Sequence, residues 1–121
     1  MLARMRFDRD TFLTPGEQDV LRRFCAGMRS LTPLPERVAV FGSRARGDSH
    51  AQSDLDVAVF FAGPHESRVQ AAVSTIAHAA TRSYGFDGYS IGLRPVAFFR
   101  GEASAFLDAI RDDLEVVWTR P

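Results

Sequence analysis

At 121 residues the chain has the length of one ordinary domain, and it is expected to form one across residues 1–121. Its 45% hydrophobic and 25% charged content is that of a globular protein, which argues against disordered, collagen-like and coiled-coil classes. Fifteen basic and fifteen acidic residues cancel to a formal charge of zero, so a protein that coats nucleic acid or anionic membrane through bulk charge is not expected. Every basic residue is an arginine, and chemistry that needs a lysine nucleophile, a Schiff base or a P-loop lysine is thereby ruled out. The single cysteine, Cys25, cannot close an internal disulfide, which favours a reducing, cytoplasmic setting. Met1 to Leu13 lacks the apolar core of a signal peptide. No apolar run approaches the roughly 20 residues of a membrane helix.

Thr14-Pro15-Gly16-Glu17 reads as a helix start, with Thr14 as N-cap, Pro15 at the first helical position and Glu17 completing a capping box. Val20, Leu21, Phe24, Met28 and Leu31 then recur at three- and four-residue steps, one apolar helix face. Cys25 lies beside that stripe and reads as a small buried hydrophobe. Pro33 and Pro35 are expected to stop the helix. Val38 to Phe41 is a short apolar run with the form of a strand buried on both faces. Leu55 to Phe61 is a second such run, stopped by Gly63-Pro64. From about Glu66 to Ser83, Val69, Val73, Ile76 and Ala80 mark a second amphipathic helix. Tyr89, Ile91 and Leu93 alternate with Ser90, Gly92 and Arg94, the pattern of a strand with one polar face, expected to end at Pro95. Ala103, Phe106, Leu107 and Ile110 mark a last helical face, and Val116 to Trp118 a closing strand. The order of elements predicts an α/β or α+β layer packing.

The stretch that carries chemistry runs from Phe41-Gly42-Ser43-Arg44-Ala45-Arg46-Gly47 to Ser53-Asp54-Leu55-Asp56-Val57. A buried strand delivers the backbone into Gly42, where the missing Cβ lets another group approach the main chain. A short helix opening at Ser43 would turn its first N–H groups and the serine hydroxyl outward, an arrangement that favours phosphate. Asp54 and Asp56 open the second strand two residues apart. Period-two geometry sets both carboxylates on one face about 6.6 Å apart, with Leu55, Val57 and Val59 on the other. At that spacing the two charges repel by about 2.5 kcal/mol at an effective dielectric near 20. A cation between them would relieve this, and Mg²⁺, which takes carboxylate and phosphate oxygens, is the natural candidate. A pair of such ions would clamp the attacking and leaving oxygens of a phosphoryl or nucleotidyl transfer. The P-loop frame fails because Asp48 stands at its lysine position, and a dinucleotide fingerprint fails because only Gly42 and Gly47 are present.

Gly42-Ser43, ten residues, then Asp54-Leu55-Asp56 resembles the signature of the DNA polymerase β-type nucleotidyltransferases. The Gly-Ser-Arg-Ala-Arg-Gly wording is similar to that of the prokaryotic minimal nucleotidyltransferases. The resemblance covers about Val38 to Phe61 at motif quality. It implies an α/β (α+β) fold with a small mixed sheet and helices packed mainly on one face. It also implies that Gly42 and Ser43 hold the triphosphate while Asp54 and Asp56 carry the divalent ions and the catalysis. Many minimal members pair with a HEPN-type toxin and act as its antitoxin, some by moving AMP from ATP onto the toxin. The expected function is thus Mg²⁺-dependent transfer of AMP from ATP to a partner protein. The alternative is an antitoxin with weak or no catalysis that binds nucleotide and acts by contact. In the superfamily a third carboxylate comes from a later strand; here that face offers Ser90, Gly92 and Arg94, and Asp87 is the nearest acid.

Other residues are assigned by chemistry alone. Arg46, and after it Arg44, suits bidentate phosphate contact, and Ser53 could support a carboxylate or the nucleotide. His50, His65 and His78 show no ligand spacing, though His50 lies between the two motifs. Phe98, Phe99 and Trp118 read as core, and Asp112, Asp113 and Glu115 as a solvated helix end. No membrane contact or stable duplex binding is expected, and a homo-oligomer is left open.

Overall fold

The computed structural model describes residues 13–46, 54–81, 92–102 and 104–120, with only the backbone given for Ser43 and Arg44. Helix α1 spans Pro15–Gly27 and opens as the sequence predicts. Thr14 is extended, its hydroxyl accepts from the Glu17 N–H at 3.1 Å, and the Glu17 carboxylate accepts from the Thr14 N–H at 2.9 Å. This reciprocal pair satisfies two helix-end donors that would otherwise need water. The helix closes at Gly27, and a 3₁₀ turn over Met28–Ser30 carries the chain on. The helix therefore ends before Pro33 and Pro35, a correction to the expected stop: the tightened turn releases the chain while Met28 and Leu31 stay buried.

Strand β1, Arg37–Phe41, lies between β2, Leu55–Phe60, and β4, Glu115–Thr119, antiparallel to both. Between β1 and β2 the backbone makes the four-residue helix α2, Ser43–Arg46. Helix α3, Ser67–Thr81, then carries the chain across to β3, Leu93–Phe98, which pairs with β2 in parallel. A parallel neighbour demands such a crossover, because a tight hairpin can join only antiparallel strands. Helix α4, Ala105–Ile110, precedes β4, and the sheet order is β3-β2-β1-β4. The fold is a mixed four-stranded sheet with helices, as expected.

The two faces of the sheet bury different sets. Val38, Val40, Leu55, Val57 and Val59 pack with Val20, Leu21, Phe24 and Met28 of the α1 region and with Val69, Val73 and Ala77 of α3. Ala39, Phe41, Ala58, Phe60 and Phe98 face the other way and meet Ile110 and Leu107 of α4. Period-two alternation decides this split, and it sends Asp54 and Asp56 to the α4 side of β2. Phe98, Phe99 and Trp118 are buried, as read from sequence. Phe106 departs from that reading: it is 48% exposed, though its ring meets Phe41 edge-on at 5.7 Å and stacks near Phe98 at 6.3 Å.

Pro95 does not end its strand. The carbonyls of Gly92 and Phe98 accept from the N–H groups of Leu55 and Phe61, so even-numbered residues of β3 turn their backbone polar groups toward β2. Pro95, an odd-numbered residue of an edge strand, directs its missing donor outward, where no ladder bond is lost. Tyr89, Ser90 and Ile91 lie outside the described residues, as does Ala103. Among the described residues no helix is long and apolar enough to cross a membrane.

Burial also fixes the chemistry of Cys25. Desolvation pushes its thiol from 9.0 up to about 12, because the apolar surroundings disfavour the thiolate. Below about pH 9 folded and unfolded chains both keep the proton; above it only the unfolded chain releases it. Stability should therefore fall by about 1.4 kcal/mol per pH unit from this group alone as pH rises from 9 toward 12. Urea titrations of the protein and of Cys25→Ala at several pH values check this: their stability difference should shift by that slope above pH 9 and stay constant below it.

Candidate active site

The candidate site forms where β1, β2 and β3 present their neighbouring ends. Phe41, the last residue of β1, stands opposite Asp56 in β2, and Asp56 stands opposite Arg94 in β3. Gly42 follows Phe41 at φ +75°, and its carbonyl accepts from the Arg46 N–H at 3.1 Å to close the turn of α2. A Cβ built on Gly42 would lie 2.8 Å from Asp56 Oδ2. Two demands thus select glycine: a positive φ that L residues avoid, and a carboxylate pressed against the turn. A second glycine serves the other acid, since a Cβ at Gly92 would collide with Asp54 Oδ1. Each aspartate is seated against backbone that carries no side chain.

Arg94 bridges the pair. Its Nε donates to Asp56 Oδ1 at 2.9 Å and lies 3.9 Å from Asp54 Oδ2. The Asp56 side chain is 17% exposed, Asp54 48% and Arg94 65%. The hydrogen bond to Asp56, then the attraction of its charge and that of Asp54, pushes the guanidinium above its ordinary pKa, and an arginine is a cation in proteins in any case. The geometry answers the electrostatic problem posed by the sequence: two like charges on one strand face require a positive group, and the adjacent strand supplies one. From the sequence alone Arg94 stands out only as a residue that is not an acid. The signal that could have identified it is its place on the polar face two residues after Gly92, in a strand joined to β2 by a crossover helix.

The donor set suits a divalent ion. Two carboxylates offer hard oxygens, and Mg²⁺ is ordinarily held by one or two carboxylates together with substrate phosphates. The pair attracts a cation, a role the Arg94 guanidinium fills in this structure. Among the described residues no group of three or more His, Cys, Asp or Glu side chains gathers to hold a metal. The ion would rest on Asp54 and Asp56 with phosphate completing its shell.

The remaining predicted residues are spread more widely. The Ser43 backbone begins α2 directly after Gly42, and at four residues this helix offers its first N–H groups rather than a macrodipole. Arg46 is exposed and its Nη1 donates to Asp113 Oδ2 at 2.9 Å, which ties α2 to the turn after α4. His65 bonds to Gln70 and sits edge-on to Phe99, a packing role. Ser53, His50 and Asp87 lie outside the described residues.

A sheet edge that combines paired carboxylates, a glycine turn and the opening of a short helix is the kind of site on which phosphate-transferring enzymes are built. Residues 21–114 match the family model described as nucleotidyltransferase domain, well over half of the chain, and the protein belongs to that family. It is also similar to a crystal structure of a protein from Sulfolobus solfataricus that carries a provisional nucleotidyltransferase assignment. The two superpose with a TM-score of 0.52 at 26% identity, covering 89% of this chain and 90% of the other. Among curated proteins none matches significantly.

The Gly42 geometry makes a direct prediction. Gly42→Ala should destabilise the fold by about 1–2 kcal/mol, the cost of a left-handed non-glycine residue, and should displace the Asp56 carboxylate. Gly63→Ala, where nothing lies within 4 Å of an added Cβ, should stay within about 0.5 kcal/mol of the parent. Paired urea titrations read both.

Proposed function

We propose that this nucleotidyltransferase domain, spanning residues 1–121, is Mg²⁺-dependent and moves AMP from ATP to a partner protein. The observation that carries the reading is the convergence of Asp54 and Asp56 on one cation position beside the Gly42 turn. Asp54 and Asp56 would hold the metal and serve as the catalytic carboxylates. The Gly42–Ser43 turn would seat the triphosphate against main-chain N–H groups, with Arg46 and Ser53 as further nucleotide contacts. Magnesium, when bound, neutralises triphosphate charge and makes the phosphorus more electrophilic. In the reaction the acceptor hydroxyl gives its proton to solvent water, its oxygen bonds to the α-phosphorus, and the bond to the bridging oxygen breaks, its electron pair leaving with pyrophosphate. The balanced charge of the chain supplies no bulk attraction to a duplex, which favours a protein acceptor over a growing strand. The minimal nucleotidyltransferase resemblance directs that choice to a HEPN-type toxin, with this chain as antitoxin in a cytoplasmic pair.

A second reading has its own support. Arg94, not an acid, occupies the β3 position facing the aspartates, which favours an antitoxin that binds nucleotide and acts by contact. The two are separated by intact-mass analysis of the protein encoded beside this chain, co-expressed with it. The enzyme should add one nucleotide mass to that protein, and Asp54→Asn or Asp56→Asn should slow the transfer about a hundredfold or more. An unmodified partner that the aspartate variants still neutralise fully would establish contact alone. In both cases Mg²⁺–ATP at about 100 times Kd should raise unfolding stability by about 2.7 kcal/mol; no shift would refute nucleotide binding itself.

A further inference from the structure

Arg94 raises a question that the proposed reaction leaves open. The same two carboxylates that would carry a divalent ion are engaged by a guanidinium from the neighbouring strand. The placement follows from the sheet: Arg94 stands opposite Asp56 in the parallel β2–β3 register, and the side chain reaches across to Asp54 as well. Asp56 Oδ1, a natural metal donor, is the atom that accepts the 2.9 Å bond. Arg94 and a divalent ion therefore compete for one oxygen.

We propose that Arg94 is a displaceable internal counter-ion, holding the cation position of the Asp54/Asp56 pair in the nucleotide-free protein and yielding it when metal and nucleotide arrive together. The inference rests on the reading of Asp54 and Asp56 as metal ligands, and three observations carry it. The first is charge: a guanidinium remains protonated under all folding conditions, so it leaves by moving and not by titrating. The second is exposure: at 65% exposed, Arg94 sits at the edge of the sheet with solvent beside it, and exposed ion pairs are weak enough to exchange. The third is repulsion. A single positive charge about 5 Å from a doubly charged ion weakens its binding on the order of tenfold even at the dielectric of water. Metal alone therefore binds poorly against Arg94. Metal arriving with a triphosphate brings four negative charges for the released guanidinium to meet, and phosphate is a good bidentate partner for arginine. The site is thereby biased toward the metal–nucleotide complex over the free ion.

Mn²⁺ binding to the full chain, followed by the loss of its free-ion electron paramagnetic resonance signal, tests this without any measurement of activity. Arg94→Gln should bind Mn²⁺ in the absence of nucleotide at least tenfold more tightly than the parent. Arg94→Lys, which keeps a positive charge at the same place, should stay close to the parent. For the parent alone, adding a non-hydrolysable ATP analogue should tighten Mn²⁺ binding by more than it does for Arg94→Gln. Equal Mn²⁺ affinities for the parent and Arg94→Gln would overturn the counter-ion proposal while leaving the carboxylates as metal ligands. Failure of every form to bind Mn²⁺, with or without the analogue, would overturn the metal-ligand reading and this proposal with it.

Discussion

A half-buried carboxylate beside a glycine turn organises this molecule. Asp56 is only 17% exposed and sits in a strand whose neighbouring residues are buried on both faces. A charge so placed persists only if something positive or polar compensates it. The sheet provides that compensation through its order: β1 ends at Phe41 on one side of Asp56, bringing Gly42 against the carboxylate, and β3 sets Arg94 on the other. A shift of either pairing by one residue would exchange the two faces and leave the acid against the aliphatic core of α1 and α3.

That constraint explains why the topology takes the form it does around the site. Arg94 lies 38 residues beyond Asp56 in sequence, and the parallel return through α3 places the two side by side. The helix stays in place because Val69, Val73 and Ala77 bury against the sheet face that Leu55, Val57 and Val59 present. Each successive residue of β2 thus works for a different layer: odd-numbered positions anchor the crossover, while even-numbered ones build the charged edge and then the aromatic surface under α4. The charged end of β2 and its aliphatic core face are separated by the pleat of a single strand.

Much of this was legible in the sequence, for physical reasons that differ by element. The Thr14–Glu17 capping box is local, so four letters suffice to read it. The strands of the core are short apolar runs between glycine and proline, and they emerged at nearly their observed bounds. The placement of the aspartate pair beside the glycine turn was readable because it depends on fixed short spacings. What failed depended on neighbours. Pro95 breaks a ladder only if its nitrogen faces another strand, and no local pattern reveals that β3 is an edge. Phe106 lies on the expected helix face, yet α4 is short and leaves the ring half uncovered. Arg94 was visible but uninterpreted, since its partners are defined by a register between strands and not by spacing along the chain. The pairing of Arg46 with Asp113 was hidden for the same reason.

The sign of residue 94 has consequences for folding as well as for chemistry. Three acids at this edge would sum to three negative charges, and strands carrying them would repel. With Arg94 in place the cluster carries a net single negative charge, and β2 and β3 can pair without that repulsion. The position accepts this reversal because it is exposed, at the rim of the sheet, where a long flexible side chain can reach the acids without disturbing the core. An arginine buried at the centre of the sheet would lack that freedom and would be fixed as a structural ion pair. Edge placement is what lets one exposed residue reach both acids from the neighbouring strand.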